Sequence, residues 1–273
     1  MIEAFIQGVA VCGPGFEGWD ASVAVLTGAE EYIRQETRLV PPAILPPNER
    51  RRTGTAVRLA LSVAQQASEM AGIRPGSIAS IFATSTGDGV VMNAILETLT
   101  AHGPVSPTQF HNSVHNAAAG YWSIGTGSRQ PASCLAGHDA TPAAALLKAI
   151  AAVHVEREPV LLCLYDSPLP PPLDTGHSMQ SAFGVGLVLT PLPNEATLAR
   201  LTIMYSAKPP PPESETPHLP ALRPLARSNT AARMLRLLET LARGAPDTLS
   251  LALLDGHVNV TLSPCSRACR SSN

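Results

Sequence analysis

The chain has few aromatic residues, 4% of its 273, and no surplus of either charge: 19 Lys and Arg stand against 21 Asp and Glu, giving a net charge of -2 and a pI near 6.4. A field that near to neutral excludes nucleic acid and anionic membrane surfaces as main partners, and leaves protein or small molecule. Cysteine supplies no framework either. Cys12, Cys134, Cys163, Cys265 and Cys269 are odd in number, scattered and without a CxxC pair. That pattern argues against a disulfide scaffold or a zinc site and fits a reducing cytoplasm. Glu3 stands where a signal peptide carries positive charge, and no apolar run reaches the roughly 20 residues of a bilayer span, so a cytoplasmic protein with no membrane span is expected.

What is present is enough apolar residue, 45% of the chain, to bury a large core without metal or cross-links. Ten of the 26 prolines fall in LYDSPLPPPLD (164–174) and AKPPPPESETPHLP (207–220), which read as loops or semi-rigid spacers. IEAFIQGVAV reads as a strand ending at Gly13-Pro14-Gly15, and GWDASVAVLTG as a helix stopped by Gly28. NERRRTGTAVRLALSVAQQASEMAG predicts one long amphipathic helix, with Val57, Leu61, Ala64 and Ala67 on one face and Gly72 past its end. SIASIFATSTGDG then reads as a buried strand and turn, and VVMNAILETLTAHG as a helix. HNSVHNAAAGYWSIGTG predicts a small-residue helix capped by Asn112 or Ser113. Thr141-Pro142 should open a helix running to about Glu156. EPVLLCLYD and SAFGVGLVLTPL are continuous apolar runs, as in strands covered on both faces. SNTAARMLRLLETLARG reads as a helix bounded by Ser228 and Gly244, and TLSLALL with HVNVTL as a hairpin around Asp255-Gly256. The tail CSRACRSSN, from about 264, is expected to fray. Strands alternating with helices in this way give an α/β class.

Several stretches invite a catalytic reading. Cys134 precedes a helix, with His138 close by, yet a thiol activated by a helix dipole must lie in the first turn, and Thr141-Pro142 puts that turn seven residues further on. Asp139 stands nearer the mouth, where an acid favours the helix and repels a thiolate. HNSVH has two histidines at i, i+4 but lacks the glutamate of HExxH, so no metal is expected. TSTGDG joins strand to helix as an anion-binding turn does, but it has no lysine and matches neither common phosphate-loop pattern; tight turning at Gly87 and Gly89 explains it more simply. No GxSxG elbow surrounds Asp166-Ser167, and the arginines at 50–52 read as a solvated helix start.

In order, these pieces resemble the N-terminal half of the β-ketoacyl synthases of the thiolase-like superfamily. The likeness spreads over most of residues 1–190 and is carried by NERRRTGTAVRLALSVAQQASEMAGI, IFATSTGDG, NAAAGYWSIGTGSRQP and SAFGVGLVLTP. It implies a thiolase-like fold: the layered sheet of an N-terminal half with covering helices, and a truncated C-terminal half. Residues 1–190 would be the synthase-like domain. Residues 191–273 would be a Pro-rich linker and a short α/β segment packed on the same core. In active synthases the turn near Pro131 leads to a strand and then a Thr-Ala-Cys elbow at a helix start, and counting forward puts that cysteine at about Asp139. The histidine and asparagine motifs of the family's second half do not occur after residue 190.

A synthase-like chain without its cysteine resembles the chain-length factors of type II polyketide systems, most of all those of aryl polyene clusters. The resemblance implies no catalytic residue and no cofactor, and a heterodimer with a β-ketoacyl synthase that meets acyl carrier protein through that partner. It also implies a subunit contact through a sheet edge and the helix after Asn116. There Ala117, Ala118, Ala119 and Gly120 would allow close packing and Tyr121 and Trp122 would anchor. By position, Gln109 or Phe110 would close the synthase's acyl tunnel. Two other readings stay open at this point: a divergent acyltransferase or condensing enzyme using Cys134, and a stand-alone acyl-binding protein.

Overall fold

Two helical layers sandwich a mixed sheet, and the alternation of side chains along its strands explains why both layers are needed. The computed structural model describes residues 1–175 and 179–265. In chain order the strands are β1 (Ile2–Gly13), β2 (Phe16–Glu17), β3 (Ala79–Ala83), β4 (Ala132–Leu135), β5 (Val160–Asp166), β6 (Phe183–Thr190), β7 (Ala199–Ser206), β8 (Asp247–Leu253) and β9 (Gly256–Pro264). The helices are α1 (Trp19–Thr27), α2 (Pro47–Arg52), α3 (Thr55–Met70), α4 (Gly89–Thr100), α5 (Pro107–Ser113), α6 (Ala117–Thr126), α7 (Thr141–Glu156), α8 (Arg223–Ser228) and α9 (Leu235–Arg243). The strand order is β4-β3-β5-β6-β1-β7-β9-β8, with β2 folded back on β1. β3 runs parallel to β4 and β5, and every other pairing is antiparallel.

Every residue of β5 and β6 is buried, as their unbroken apolar runs predict. On β5, Val160, Leu162 and Leu164 face a core shared with α7, α8 and α9, while Leu161, Cys163 and Tyr165 face a second core under α3 and α6. β6 sends Phe183, Val185, Leu187 and Leu189 to the first core. Its Gly186 faces α3, where an added Cβ would lie 2.3 Å from the carbonyl oxygen of Val63. The glycine therefore sets how closely the helix approaches the sheet. β7, β9 and β8 extend the same sheet, and Leu201, Ile203, Leu249, Leu251, Val258 and Val260 join the first core.

Several boundaries differ from the sequence reading. The long helix is two, α2 and α3, broken at Thr53-Gly54. Gly54 is extended at φ -78° and ψ 178°, and a Cβ there would meet Asp88 Oδ2 at 2.5 Å, while the Thr53 hydroxyl turns back to donate to the Arg50 carbonyl at 2.8 Å. Asn112 and Ser113 end α5 instead of capping α6. The Asn112 side chain is committed elsewhere, donating to the Arg52 carbonyl at 2.8 Å and accepting from the Tyr121 hydroxyl at 2.9 Å. Thr141 lies inside α7, its hydroxyl bracing the preceding turn by accepting from Gly137 N–H at 3.0 Å and donating to the His138 carbonyl at 2.6 Å. Ser228 ends α8, and Asn229 accepts from Ala232 N–H at 3.1 Å to start the turn leading into α9. Leu164, Tyr165 and Asp166 belong to β5, not to a loop. Gly28 and Gly244 end α1 and α9 in the left-handed conformation as expected. The tail expected to fray lies, beyond Cys265, outside the described residues.

Candidate functional site

The place to look is the start of α7, since the resemblance puts a nucleophile there. β4 leads through Gly137 into a 3-10 turn, His138–Ala140, that runs directly into α7. His138 takes φ +52°, an uncommon conformation for a residue with a Cβ, and the Thr141 hydroxyl bonds brace the turn from inside. Asp139 therefore stands at the mouth of the helix. Arg233, delivered by the 3-10 turn Ala231–Met234, reaches it with Nη2 at 3.2 Å from Oδ1 and also donates to the Asp139 carbonyl at 3.2 Å. An ion pair thus fills the position, and its acid also complements the helix dipole.

Cys134 is not at that mouth. It pairs with Phe82 inside β4, half-buried at the sheet edge, and burial pushes its thiol above the ordinary value. No hydrogen bond among the described residues joins it to an imidazole. Both features favour the thiol over the thiolate. Cys12 is pushed up to about 11, by burial and by Glu17, and fully buried Cys163 is also raised.

One buried acid was considered in the sequence only as part of a missing serine-hydrolase elbow. Asp166, at the end of β5, is 1% exposed and accepts four hydrogen bonds: from the Thr84 hydroxyl at 2.9 Å, Ser85 N–H at 2.8 Å, the Ser85 hydroxyl at 2.9 Å and Ala231 N–H at 3.0 Å. Burial pushes its carboxyl up, and those donors pull the other way. It ties the TSTGDG turn to the segment carrying Arg233, which makes it a positioning group. In the same turn Gly87 takes φ +70°, and Asp88 caps α4 by accepting from Val91 N–H at 3.1 Å. That acid occupies the helix start where an anion would have to bind.

Of the residues expected at a subunit contact, α6 turns most inward. Ala117, Ala118, Ala119, Tyr121 and Trp122 are buried in this chain's own core, Trp122 6.2 Å from Phe82 between ring centroids. Tyr121 and Trp122 are therefore not outward anchors, because rings of that size gain more from filling the space beneath α3. Asn116 and Gly120 are exposed and line up with Ile124, 51% exposed, at intervals of four residues. Phe110 is 66% exposed on α5, with Gln109 half-exposed beside it. On α4, Met92, Leu96 and Leu99 form an outward apolar stripe that the sequence reading missed. β4, which packs against α6, is the end strand of the sheet.

HNSVH does not present two imidazoles on one helix face. His111 is inside α5, its ring edge-on to Tyr121 at 5.8 Å, and His115 lies in the connection to α6. No group of three or more possible metal ligands occurs among the described residues, and no helix there is long and apolar enough to cross a membrane. A cleft of about 650 Å³ has a mixed lining that includes Arg34, Thr37, Leu39, Pro168 and Ala182.

Residues 27–246 match the family model for the β-ketoacyl synthase N-terminal domain. No curated protein matches the chain. Among solved structures, a ketosynthase in complex with its chain length factor from Xenorhabdus doucetiae gives a TM-score of 0.72 at 18% identity, over 96% of this chain and 100% of that one. The ishigamide ketosynthase/chain length factor gives 0.70 at 12%, over 97% and 100%. A type II polyketide acyl-carrier protein in complex with its ketosynthase bound to the hexaketide gives 0.75 at 11%, over 97% and 99%. At such identities the likeness concerns the fold, which is the thiolase-like α/β arrangement expected from the sequence.

Proposed function

From the premise that this chain belongs to the β-ketoacyl synthase N-terminal domain family, we propose that it is a non-catalytic, chain-length-factor-like subunit that pairs with a β-ketoacyl synthase in the cytoplasm. The observation that carries the reading is the set of outward apolar side chains on three consecutive helices, Met92, Leu96 and Leu99 on α4, Phe110 on α5 and Ile124 on α6, the last of these helices packing beside end strand β4. Exposed apolar side chains gathered on helices that pack side by side, α4 on α5 and α5 on α6, mark a protein contact. Structural neighbours that are ketosynthase and chain length factor complexes support the choice of partner.

The ion pair at the α7 mouth supports a silent role. Condensation needs a thiolate and donors aimed at the developing oxyanion, and the paired acid at this mouth supplies neither. Phe110, and Gln109 next to it, would close the partner's acyl tunnel, and acyl carrier protein would reach the complex through that partner. We read residues 191–265 as completing the core in place of a second half-domain. No cofactor has a role in this account.

The test is coexpression with a β-ketoacyl synthase from the same genome. The two should copurify as a stable pair that extends acyl chains, while each subunit alone should not. Two subunits that purify apart refute the pairing, and condensation by this chain alone refutes the silent role.

A further inference from the structure

A separate pocket lies about the start of α8. It is a half-open cleft of about 170 Å³ lined by Glu215, Thr216, Pro217, Arg223, Arg227 and Arg233, among others. Arg223 and Arg227 are four residues apart on α8, which puts both guanidinium groups on one helix face, where like charges repel. Arg233 is partly committed, to Asp139 at 3.2 Å and to Glu215 at 3.6 Å. Arg223 spends only its Nε, donating to the Pro217 carbonyl at 3.2 Å. Among the described residues neither Arg223 nor Arg227 forms an ion pair, so three guanidinium groups face two carboxylates.

We propose that this pocket binds an oxyanion of the phosphate class, either free phosphate or a terminal phosphomonoester, clasped by Arg223 and Arg227 with Arg233 at its inner wall. A tetrahedral dianion relieves the repulsion on α8 and matches the planar fork of arginine, which pairs with phosphate through two parallel hydrogen bonds. Size restricts the ligand. At roughly 30 Å³ per water, the space holds about six waters, enough for one hydrated phosphate group and too little for a pocket-filling organic ligand, for which roughly 300 Å³ is the lower limit. Glu215 competes with the anion for Arg233, and burial already pushes its carboxyl above the ordinary value. The inference does not depend on pairing with a synthase.

Calorimetric titration of the whole chain tests it, with inorganic phosphate, glycerol 3-phosphate, acetate and chloride compared at one ionic strength. Saturable one-to-one binding of phosphate is expected, weakened about tenfold by Arg223→Gln or Arg227→Gln, strengthened by Glu215→Gln and unchanged by the control Arg38→Gln. Binding of glycerol 3-phosphate as well assigns the natural ligand to phosphomonoesters, and its exclusion assigns it to the free ion. Acetate or chloride acting as well as phosphate overturns the proposal, as does wild-type affinity in a folded Arg223→Gln, Arg227→Gln double variant.

Discussion

Gly186→Ala and Gly120→Ala make the same chemical change, and the structure predicts opposite signs for them. At Gly186 the new methyl would sit 2.3 Å from the Val63 carbonyl oxygen, 2.9 Å from its carbon and 3.0 Å from Ala67 Cβ. Ordinary contact begins near 3.4 Å, so α3 must back off by about 1 Å from a fully buried strand. The obstacle is backbone, which cannot rotate away, so the cost belongs at the top of the range for overpacking, about 3 kcal/mol. At Gly120, on the exposed side of α6, nothing lies within 4 Å of the new methyl. There alanine lowers the entropy cost of helix formation, a gain of roughly 0.5–1 kcal/mol. Urea denaturation of the isolated chain, followed by circular dichroism, should move the midpoint down for the first variant and up for the second. Shifts of the same sign, or an unperturbed Gly186→Ala, would show that α3 does not seat on β6 as described.

Cys134 should react with iodoacetamide near neutral pH no faster than glutathione does, because burial raises its thiol pKa; fast alkylation would revive the enzyme reading. Asp166→Asn should cost roughly 1–3 kcal/mol in the same denaturation assay, since an amide cannot accept all four hydrogen bonds that now converge on the carboxylate; a neutral result would mean the web is not formed. Asp247 feels desolvation, but hydrogen bonds from His218, Thr248 and Thr240 and the charge of Arg236 outweigh it and hold its pKa below the ordinary 3.8. Its contribution to stability is therefore present above that value and lost as pH falls through the folded one. The midpoint difference between the protein and Asp247→Asn should shrink below pH 3.8, and a constant difference would refute the assignment.

Elements with one dominant local signal were legible in the sequence. β5 and β6 are continuous apolar runs, α1 and α9 stop at glycines, and β8 and β9 form the expected hairpin, although its turn is Leu254-Asp255, one residue earlier than expected, with Gly256 already paired to Leu253. β7 was missed although Ala199, Leu201 and Ile203 alternate with more exposed neighbours, a period-2 signal hidden between two proline-containing loops. α5 and α8 are too short for a helical period to show. The break at Gly54 depends on Asp88, and the partner of Asp139 lies 94 residues away on Arg233, contacts that no local pattern encodes. α6 was expected, but its start and its faces were misplaced: Asn112 and Ser113 belong to α5, and the small and aromatic residues that announced a subunit contact pack in this chain's own core, Trp122 near Phe82.

The central claim is that the outward faces of α4 and α6 are covered by a synthase. Leu99 and Ile124 are 53% and 51% exposed, so each has about 1 kcal/mol of burial left to gain at a contact, and an aspartate there adds the cost of an unpaired charge. The decisive measurement is the dissociation constant of the coexpressed pair for the native chain and for a folded Leu99→Asp, Ile124→Asp variant. The account predicts a weakening of at least a hundredfold with loss of chain elongation, and an unchanged constant would contradict it.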